Sequence, residues 1–449
     1  MKNISGKKIS IIGAVRSGLG AAKLAKKLGA IPFVSDSGSK DKIAHNLAAL
    51  DSEAIEYEIG SHSERVFDCD FIITSPGVPS DSPVLITAAQ KGINVISELE
   101  FASYFCKGTI ISITGSNGKT TTTSLCAHLL NEGGLKTYMA GNIGIAFSDI
   151  ALDVKENEFV ALETSSFQLD HVETFKPKIA AILNITPDHL DRYDHDIQNY
   201  INSKLNVFKN QDSSDYLILN SDNPMTPKDI ENNSVNKFYF SLNQTVENGA
   251  YLDNDKIIFK RNGTEEFSCM TSDISLRGEH NYANAMAVII IAQLLKVDPQ
   301  KIKSALGSFP GVEHRLEFVR EINGVKYIND SKATNVDSVW YALRSFNDPI
   351  FLILGGKDKG NDYNQIKDLV VKRVKKIYAI GSSADKVFNF FHQLTKVEIK
   401  PSLEECISAA NREAREHEVV LLSPACASFD MFNDYEHRGR VFKEAVNNL

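Results

Sequence analysis

The sequence predicts an α/β chain of three domains, each built around a doubly wound, largely parallel sheet. Three observations carry that expectation. The 449 residues exceed what one hydrophobic core organises. Short apolar strands alternate with helical stretches along most of the chain. Two of those strands run straight into glycine turns, at Gly13 and at Gly115, the pattern of nucleotide-binding sheets.

The first block, residues 1–106, reads as Rossmann-like. KISIIG (Lys8–Gly13) is a strand, GAVRSGLGAAKLAKKLGA a turn and helix, and Ile31–Ser35 a second strand ending at Asp36. FIIT (Phe71–Thr74) is a further strand that stops at Ser75-Pro76-Gly77. The second block, 107–310, reads as a phosphate-loop ATPase-like parallel sheet. TIISIT (Thr109–Thr114) leads into Gly115 and a helix to about Asn131, with later strands at Phe159–Glu163, Ile179–Ile185 and Tyr216–Asn220. Lys237–Lys260 has the composition of an antiparallel insertion, and Asn281–Lys296 that of a long apolar helix. After a linker at Phe309–Val312, the third block, 311–449, is again Rossmann-like, with strands at Val325–Ile328, Ile350–Leu354, Lys376–Ile380 and Val419–Leu422.

Composition narrows the function classes. Hydrophobic residues at 43% and charged residues at 24% are ordinary for a globular protein. A net charge of −8 argues against a nucleic-acid binder. The six cysteines are scattered with no C-x-x-C pair, as in a reduced compartment. The start MKNISGKKISIIG has no signal-peptide pattern, and no apolar run approaches the roughly 18 residues of a spanning helix. A cytoplasmic protein without membrane insertion is expected.

The sharpest motif is Gly115-Ser116-Asn117-Gly118-Lys119-Thr120-Thr121 between strand and helix. Such a turn aims backbone N–H groups and a positive helix end at one spot. Lys119 adds a cation for phosphates, and the Thr120 hydroxyl suits Mg²⁺. The spacing is G-x-x-G-K-T rather than the full Walker pattern, since Ile113 and Thr114 precede the first glycine. Glu163, at the end of FVALE, stands where a parallel sheet offers side chains to a ligand, and a carboxylate there can hold Mg²⁺. His189, just past another strand, is a candidate second metal ligand. A competing reading, an NAD-dependent oxidoreductase, rests on the first glycine turn and Asp36. Its spacing is not G-x-G-x-x-G, and it leaves the phosphate loop unexplained.

Taken together, TGSNGKTT, ETSSFQLD, NITPDHLDRY, YINSKLNVF, GEHNYANA, the pair His314-Arg315, NDSKATN and SPACASFD resemble the Mur ligase family, which assembles the peptide of bacterial cell-wall precursors. They occur in the family's order across most of the chain. The short first block, NDSKATN and SPACASFDMF followed by Arg438-Gly439 resemble the branch that adds D-glutamate to UDP-N-acetylmuramoyl-L-alanine.

The resemblance implies an ATP-dependent ligase working through an acyl phosphate, with two Mg²⁺ ions and small-molecule substrates, as a monomer. It implies that Gly115 to Thr121, Asn281, Asn284, Arg315 and Asp330 contact ATP. It implies Thr120, Glu163, His189 and a carbamylated Lys204 around the metals, with Lys119, Glu163, His189 and Lys204 central to catalysis. The nucleotide-sugar falls to Arg16, Ser17, Asp36, Ser75, Gly77 and Asn142, and D-glutamate to Lys332, Thr334, Lys359, Ser428 and Tyr435. Two positions depart from the family: Tyr435 replaces an expected phenylalanine, and Arg16 an expected apolar residue. Lys357 competes with Lys359 for its role.

Overall fold

Three sheets carry the described residues of this computed structural model, which are 3–226, 234–358 and 360–449. The first sheet holds β1 (Lys8–Ile12), β2 (Ile31–Asp36), β3 (Glu56–Ile59), β4 (Phe71–Thr74) and β5 (Val95–Ser97), all parallel, in the order β3-β2-β1-β4-β5. The order reverses at β1, so the turns after β1 and β4 open side by side at the carboxyl edge. Gly13, at φ +100°, is needed there because a Cβ would lie 2.8 Å from Ser75 Oγ.

The second sheet comprises β6 (Thr109–Thr114), β7 (Thr137–Gly141), β8 (Phe159–Glu163), β9 (Ile179–Ile182), β10 (Tyr216–Asn220), β11 (Asn236–Ser241), β12 (Gly249–Asp253), β13 (Lys256–Arg261) and β14 (Thr264–Met270). Its order is β14-β13-β12-β11-β10-β9-β6-β8-β7. Two expectations need correction. The segment read as an antiparallel insertion from Lys237 is parallel at first, since β11 pairs parallel with β10 and β12 parallel with β11. The antiparallel part is β12-β13-β14. Aromatic and β-branched composition marks strands but carries no direction. The strand expected to run to Ile185 ends at Ile182, where Asn184 turns its side chain onto the Gly115–Thr121 loop.

The third sheet, β15 (Glu317–Ile322), β16 (Val325–Asn329), β17 (Ile350–Gly355), β18 (Val374–Ile380), β19 (Lys396–Ile399) and β20 (Val419–Leu422), runs β15-β16-β20-β17-β18-β19. All its pairs are parallel except β15 with β16. Because β20 inserts between β16 and β17, the segments after these three strands share one edge.

The first two sheets belong to one compact unit, Met1–Ser275 with Asn281–Phe309; Leu276–His280 and Pro310–Leu449 form the other. Within the first unit one apolar core takes in Ile9, Phe101, Phe147, Phe175 and Leu217. The Glu100 carboxylate, fully buried, accepts from the backbone N–H groups of Glu173, Thr174 and Phe175 and from Thr174 Oγ1. That satisfies an otherwise costly buried charge and ties the helix Glu98–Ser103 to the second sheet's loops. Among the described residues no helix is long and apolar enough to cross a membrane.

Candidate active site

The loop after β6 is built by glycine geometry and held from one side by asparagine. Gly118 caps the helix Lys119–Glu132 at φ +84°, and a Cβ on it would lie 2.5 Å from Asn284 Oδ1. The helix Glu279–Leu294 therefore brings Asn284 against the loop, and Asn284 Nδ2 donates to Asn281 Oδ1 at 3.3 Å. Asn184, past β9, accepts at Oδ1 from the Asn117 N–H (2.8 Å) and donates from Nδ2 to the Asn117 carbonyl (3.0 Å). Ser116 Oγ donates to the Thr186 carbonyl, accepts from the Thr186 N–H, and meets Tyr200 OH at 3.0 Å. Lys119 lies over the loop, its Nζ donating to the carbonyls of Gly115 and Ser116 at 2.8 Å each. Thr120 and Thr121 are buried in the first helical turn.

One strand away, Glu163 ends β8, and its register partner in β6 is Ile113. Its carboxylate is 2% exposed and accepts from Asn142 Nδ2 at 3.0 Å. The Asn142 N–H donates to the Glu163 carbonyl at 2.9 Å. Gly141 makes this possible: at φ +113° a Cβ there would lie 2.2 Å from the Glu163 carbonyl oxygen. The Asn142 carbonyl in turn accepts from Arg16 Nη2 at 2.6 Å.

Lys204, on the helix Ile197–Leu205, is buried to 1% exposure. Its Nζ donates to the Gly115 carbonyl at 3.0 Å and stands 4.5 Å over the Tyr200 ring. Burial, and then the nearby Lys119 charge, hold its amine well below the usual lysine range, against the weaker pull of Asp188 and Asp170. His189 adopts φ +53°, packs edge-on against Phe167 and lies 3.7 Å from the Asp188 carboxylate. Among the described residues no three His, Cys, Asp or Glu side chains gather into a metal-holding group.

At the edge of the first sheet, Asp36 is spent on the backbone: Oδ2 accepts from Ala14 N–H and Oδ1 from Gly38 N–H, both at 2.7 Å. It thus shapes the β1 turn. Ser17 and Ser75 are nearly buried beside that turn, and Gly77 has open space where a side chain would stand. Across the same crevice, Arg192 Nη2 donates to the Val78 carbonyl at 3.0 Å.

In the second compact unit, Lys332 Nζ stands 5.2 Å over the Tyr435 ring, whose hydroxyl donates to Glu436. The extra oxygen relative to phenylalanine therefore points to a neighbouring acid. Ser428 is 2% exposed and Thr334 half-buried. Lys357 pairs its backbone with Ala427 across the ends of β17 and β20, while Lys359 lies outside the described residues. Asp330 is buried, which pushes its carboxyl up to about 6 while the Arg315 charge pulls the other way. It accepts from Ser423 Oγ and the Leu316 N–H.

Sequence reasoning did not assign roles to Asn184, Tyr200 or Arg438. Arg438 is fully buried, with Nε on Ser331 Oγ, Nη2 on the Ser331 carbonyl and Nη1 on the Cys426 carbonyl. Asn184 stands just past an apolar strand at the loop's own edge, a signal that could have flagged it. Tyr200 opens YINSKLNVF and Arg438 follows SPACASFDMF, yet no local pattern marks either helical residue as buried.

Residues 113–292 match the Mur ligase middle domain, 314–426 the Mur ligase glutamate ligase domain, and 8–84 the MurD N-terminal domain. A Christiangramia forsetii protein named UDP-N-acetylmuramoylalanine–D-glutamate ligase is 47% identical over 449 residues, covering 99% of this chain and 100% of its own. A Bacteroides fragilis protein of the same name is 42% identical over 453 residues, covering 99% of this chain and 100% of its own. Among solved structures, UDP-N-acetylmuramate-alanine ligase of Thermotoga maritima superposes with a TM-score of 0.64 at 19% identity, over 98% of this chain and 99% of that one. MurF of Acinetobacter baumannii gives 0.62 at 15% identity, over 93% and 91%; at these identities the likeness is one of fold.

Proposed function

This chain belongs to the Mur ligase family, and on that premise we propose that it joins D-glutamate to UDP-N-acetylmuramoyl-L-alanine at the expense of ATP, in peptidoglycan precursor synthesis. The observation that carries the reading is the full-length 47% identity to a ligase of that name.

Residues 1–106 are assigned the nucleotide-sugar, 107–310 ATP, and 311–449 the amino acid. ATP phosphorylates the substrate carboxylate, which exchanges a poor leaving group for phosphate and releases ADP. The amine of D-glutamate then attacks the acyl carbon, the C–O bond to phosphate breaks, and an amide forms as the nitrogen gives up a proton. Phosphoryl transfer asks the protein for positioning and charge neutralisation rather than covalent chemistry. Lys119 and the N–H groups of 115–121 take the phosphates. Asn281 and Asn284 flank the loop on the nucleoside side, with Arg315 and Asp330 as further ATP contacts.

The family works with ATP and Mg²⁺, and the donor set fits a hard cation: the Thr120 hydroxyl lies in the first turn of the helix that follows β6, and the Glu163 carboxylate ends β8, the strand beside β6. Bound Mg²⁺ neutralises charge on the transferring phosphoryl group. We assign Thr120 and Glu163 to one ion, and His189 with Lys204 to a second. A buried Lys204 amine held below the usual lysine range suits carbamylation, which puts an anion where lysine ordinarily carries a cation. Lys332, Thr334, Lys359 and Ser428 receive D-glutamate, two ammonium groups and two hydroxyls for two carboxylates, with Tyr435 as the aromatic wall beside them. The enzyme is taken to act as a cytoplasmic monomer.

Phosphate release from ATP and Mg²⁺ with UDP-N-acetylmuramoyl-L-alanine tests this, comparing D-glutamate, L-glutamate and no amino acid. Release with D-glutamate alone is expected; equal release in all three would overturn the assignment.

A further inference from the structure

A chain of three contacts runs from the first sheet's glycine turn to the carboxylate beside the phosphate loop. Arg16, the first residue of the helix Arg16–Lys27, reaches 126 positions along the sequence to the Asn142 carbonyl at 2.6 Å. Asn142 grips Glu163 twice, from its side-chain amide to Oε1 at 3.0 Å and from its backbone N–H to the carbonyl at 2.9 Å. The intervening turn has little slack, because Gly141 packs its Cα against the Glu163 backbone too closely for any Cβ. A displacement of the Asn142 carbonyl is therefore passed to the Glu163 carboxylate.

We propose that Arg16 is a positioning residue that couples occupancy of the nucleotide-sugar turn to the geometry of Glu163. The inference rests on the reading that the turn after β1 takes the diphosphate. A guanidinium has five donors in a planar fork, so one can stay on the Asn142 carbonyl while others meet a phosphate. Asn142 is then held by a group whose place the substrate sets, and Glu163 follows. Lysine carries the same charge without the fork. By linkage, the two ligands must then strengthen each other's binding by equal factors.

Calorimetric titration of a non-hydrolysable ATP analogue with Mg²⁺, with and without saturating UDP-N-acetylmuramoyl-L-alanine, measures the coupling directly. Wild type is expected to bind the analogue about tenfold more tightly with the substrate present. Arg16→Lys should weaken the substrate's own binding less than Arg16→Gln does and bring the coupling close to one. Arg16→Gln should lose both. Asn142→Ala, which removes the side-chain bond to the Glu163 carboxylate but keeps both backbone bonds, should abolish coupling as well, and adding Arg16→Gln to it should lower the coupling no further. Melting curves matching wild type exclude a folding defect in each variant. Coupling that survives in Arg16→Lys or Arg16→Gln, or a wild-type factor of one, overturns the relay. Failure of wild type to bind UDP-N-acetylmuramoyl-L-alanine at all would sink both this inference and the functional reading.

Discussion

Asn184 and Asn117 are joined twice in opposite senses, the Asn184 amide accepting from the Asn117 N–H at 2.8 Å and donating to its carbonyl at 3.0 Å. The Gly115–Thr121 loop is thus braced by a side chain 67 positions away. Asn184→Ala leaves both backbone groups without these partners, at a cost of about 1–3 kcal/mol. The expected result is nucleotide affinity lower by roughly tenfold or more. Asn184→Asp should be worse, because it keeps the acceptor, loses the donor and places an anion beside the phosphates. Equilibrium binding of ADP checks this; unchanged affinity in both variants would show that the brace is dispensable.

Glu98 yields a prediction about pH and stability. Its carboxyl is buried beside Ser148, one oxygen accepting from the Ser148 N–H and the other without a hydrogen-bond partner, and burial raises it from 4.5 to about 7. The folded state therefore holds a proton that the unfolded chain releases at lower pH. The stability this group contributes is fully present below pH 4.5 and is lost as pH rises through about 7. Over that window the loss amounts to roughly 3 kcal/mol. Glu98→Gln keeps a neutral side chain at every pH, so its melting temperature should exceed wild type at pH 8 and match it near pH 5. A difference between the two proteins that does not change with pH would contradict the shift.

Much of this architecture was legible because burial writes itself into sequence. The strands that lead into Gly115, Glu163 and Asp330 are runs of apolar residues bounded by turns, and such runs announce both a strand and its carboxyl edge. The phosphate loop was legible for the same reason, since glycine, lysine and threonine follow one another locally. Contacts between distant segments were not. Tyr200 under Lys204, and Arg438 between Ser331 and Cys426, depend on which loops the sheet order makes neighbours. The insertion of β20 between β16 and β17 has no local signature. Strand direction at β11 and β12 was misread because composition reports burial but not polarity of pairing.

Lys204 gives a spectroscopic prediction. Burial lowers the Lys204 amine from the usual lysine range, which favours the form that attacks carbon dioxide: an N–C bond forms, one N–H proton leaves, and an anionic carbamate results. Its position against the Gly115 carbonyl places that new charge beside the phosphate loop. Protein equilibrated with ¹³C-bicarbonate at pH 8 should show a carbamate carbon that Lys204→Arg lacks. The signal should fade on acidification as the amine is protonated and carbon dioxide is released. Identical spectra for the two proteins would rule the modification out.

Arg438 is the most deeply committed charge of the second compact unit. Burial lowers its guanidinium to about 10, which leaves it cationic at neutral pH. Its three contacts span the segment after β16, through Ser331, and the segment after β20, through Cys426. Those segments carry Lys332 on one side and Ser428 on the other, so the arginine sets the spacing between two of the proposed D-glutamate contacts. Arg438→Ala leaves two carbonyls and a hydroxyl without these bonds and opens a cavity, and a loss of about 3–5 kcal/mol is expected. Arg438→Lys retains charge but cannot span both segments with a fork, so it should fold while binding D-glutamate at least tenfold more weakly. Hydrogen exchange at residues 330–334 and 425–428 reads the local effect, and the KM for D-glutamate against that for ATP reads the functional one. Equal rises in both KM values would mean that the residue supports the unit as a whole rather than the spacing of these two segments.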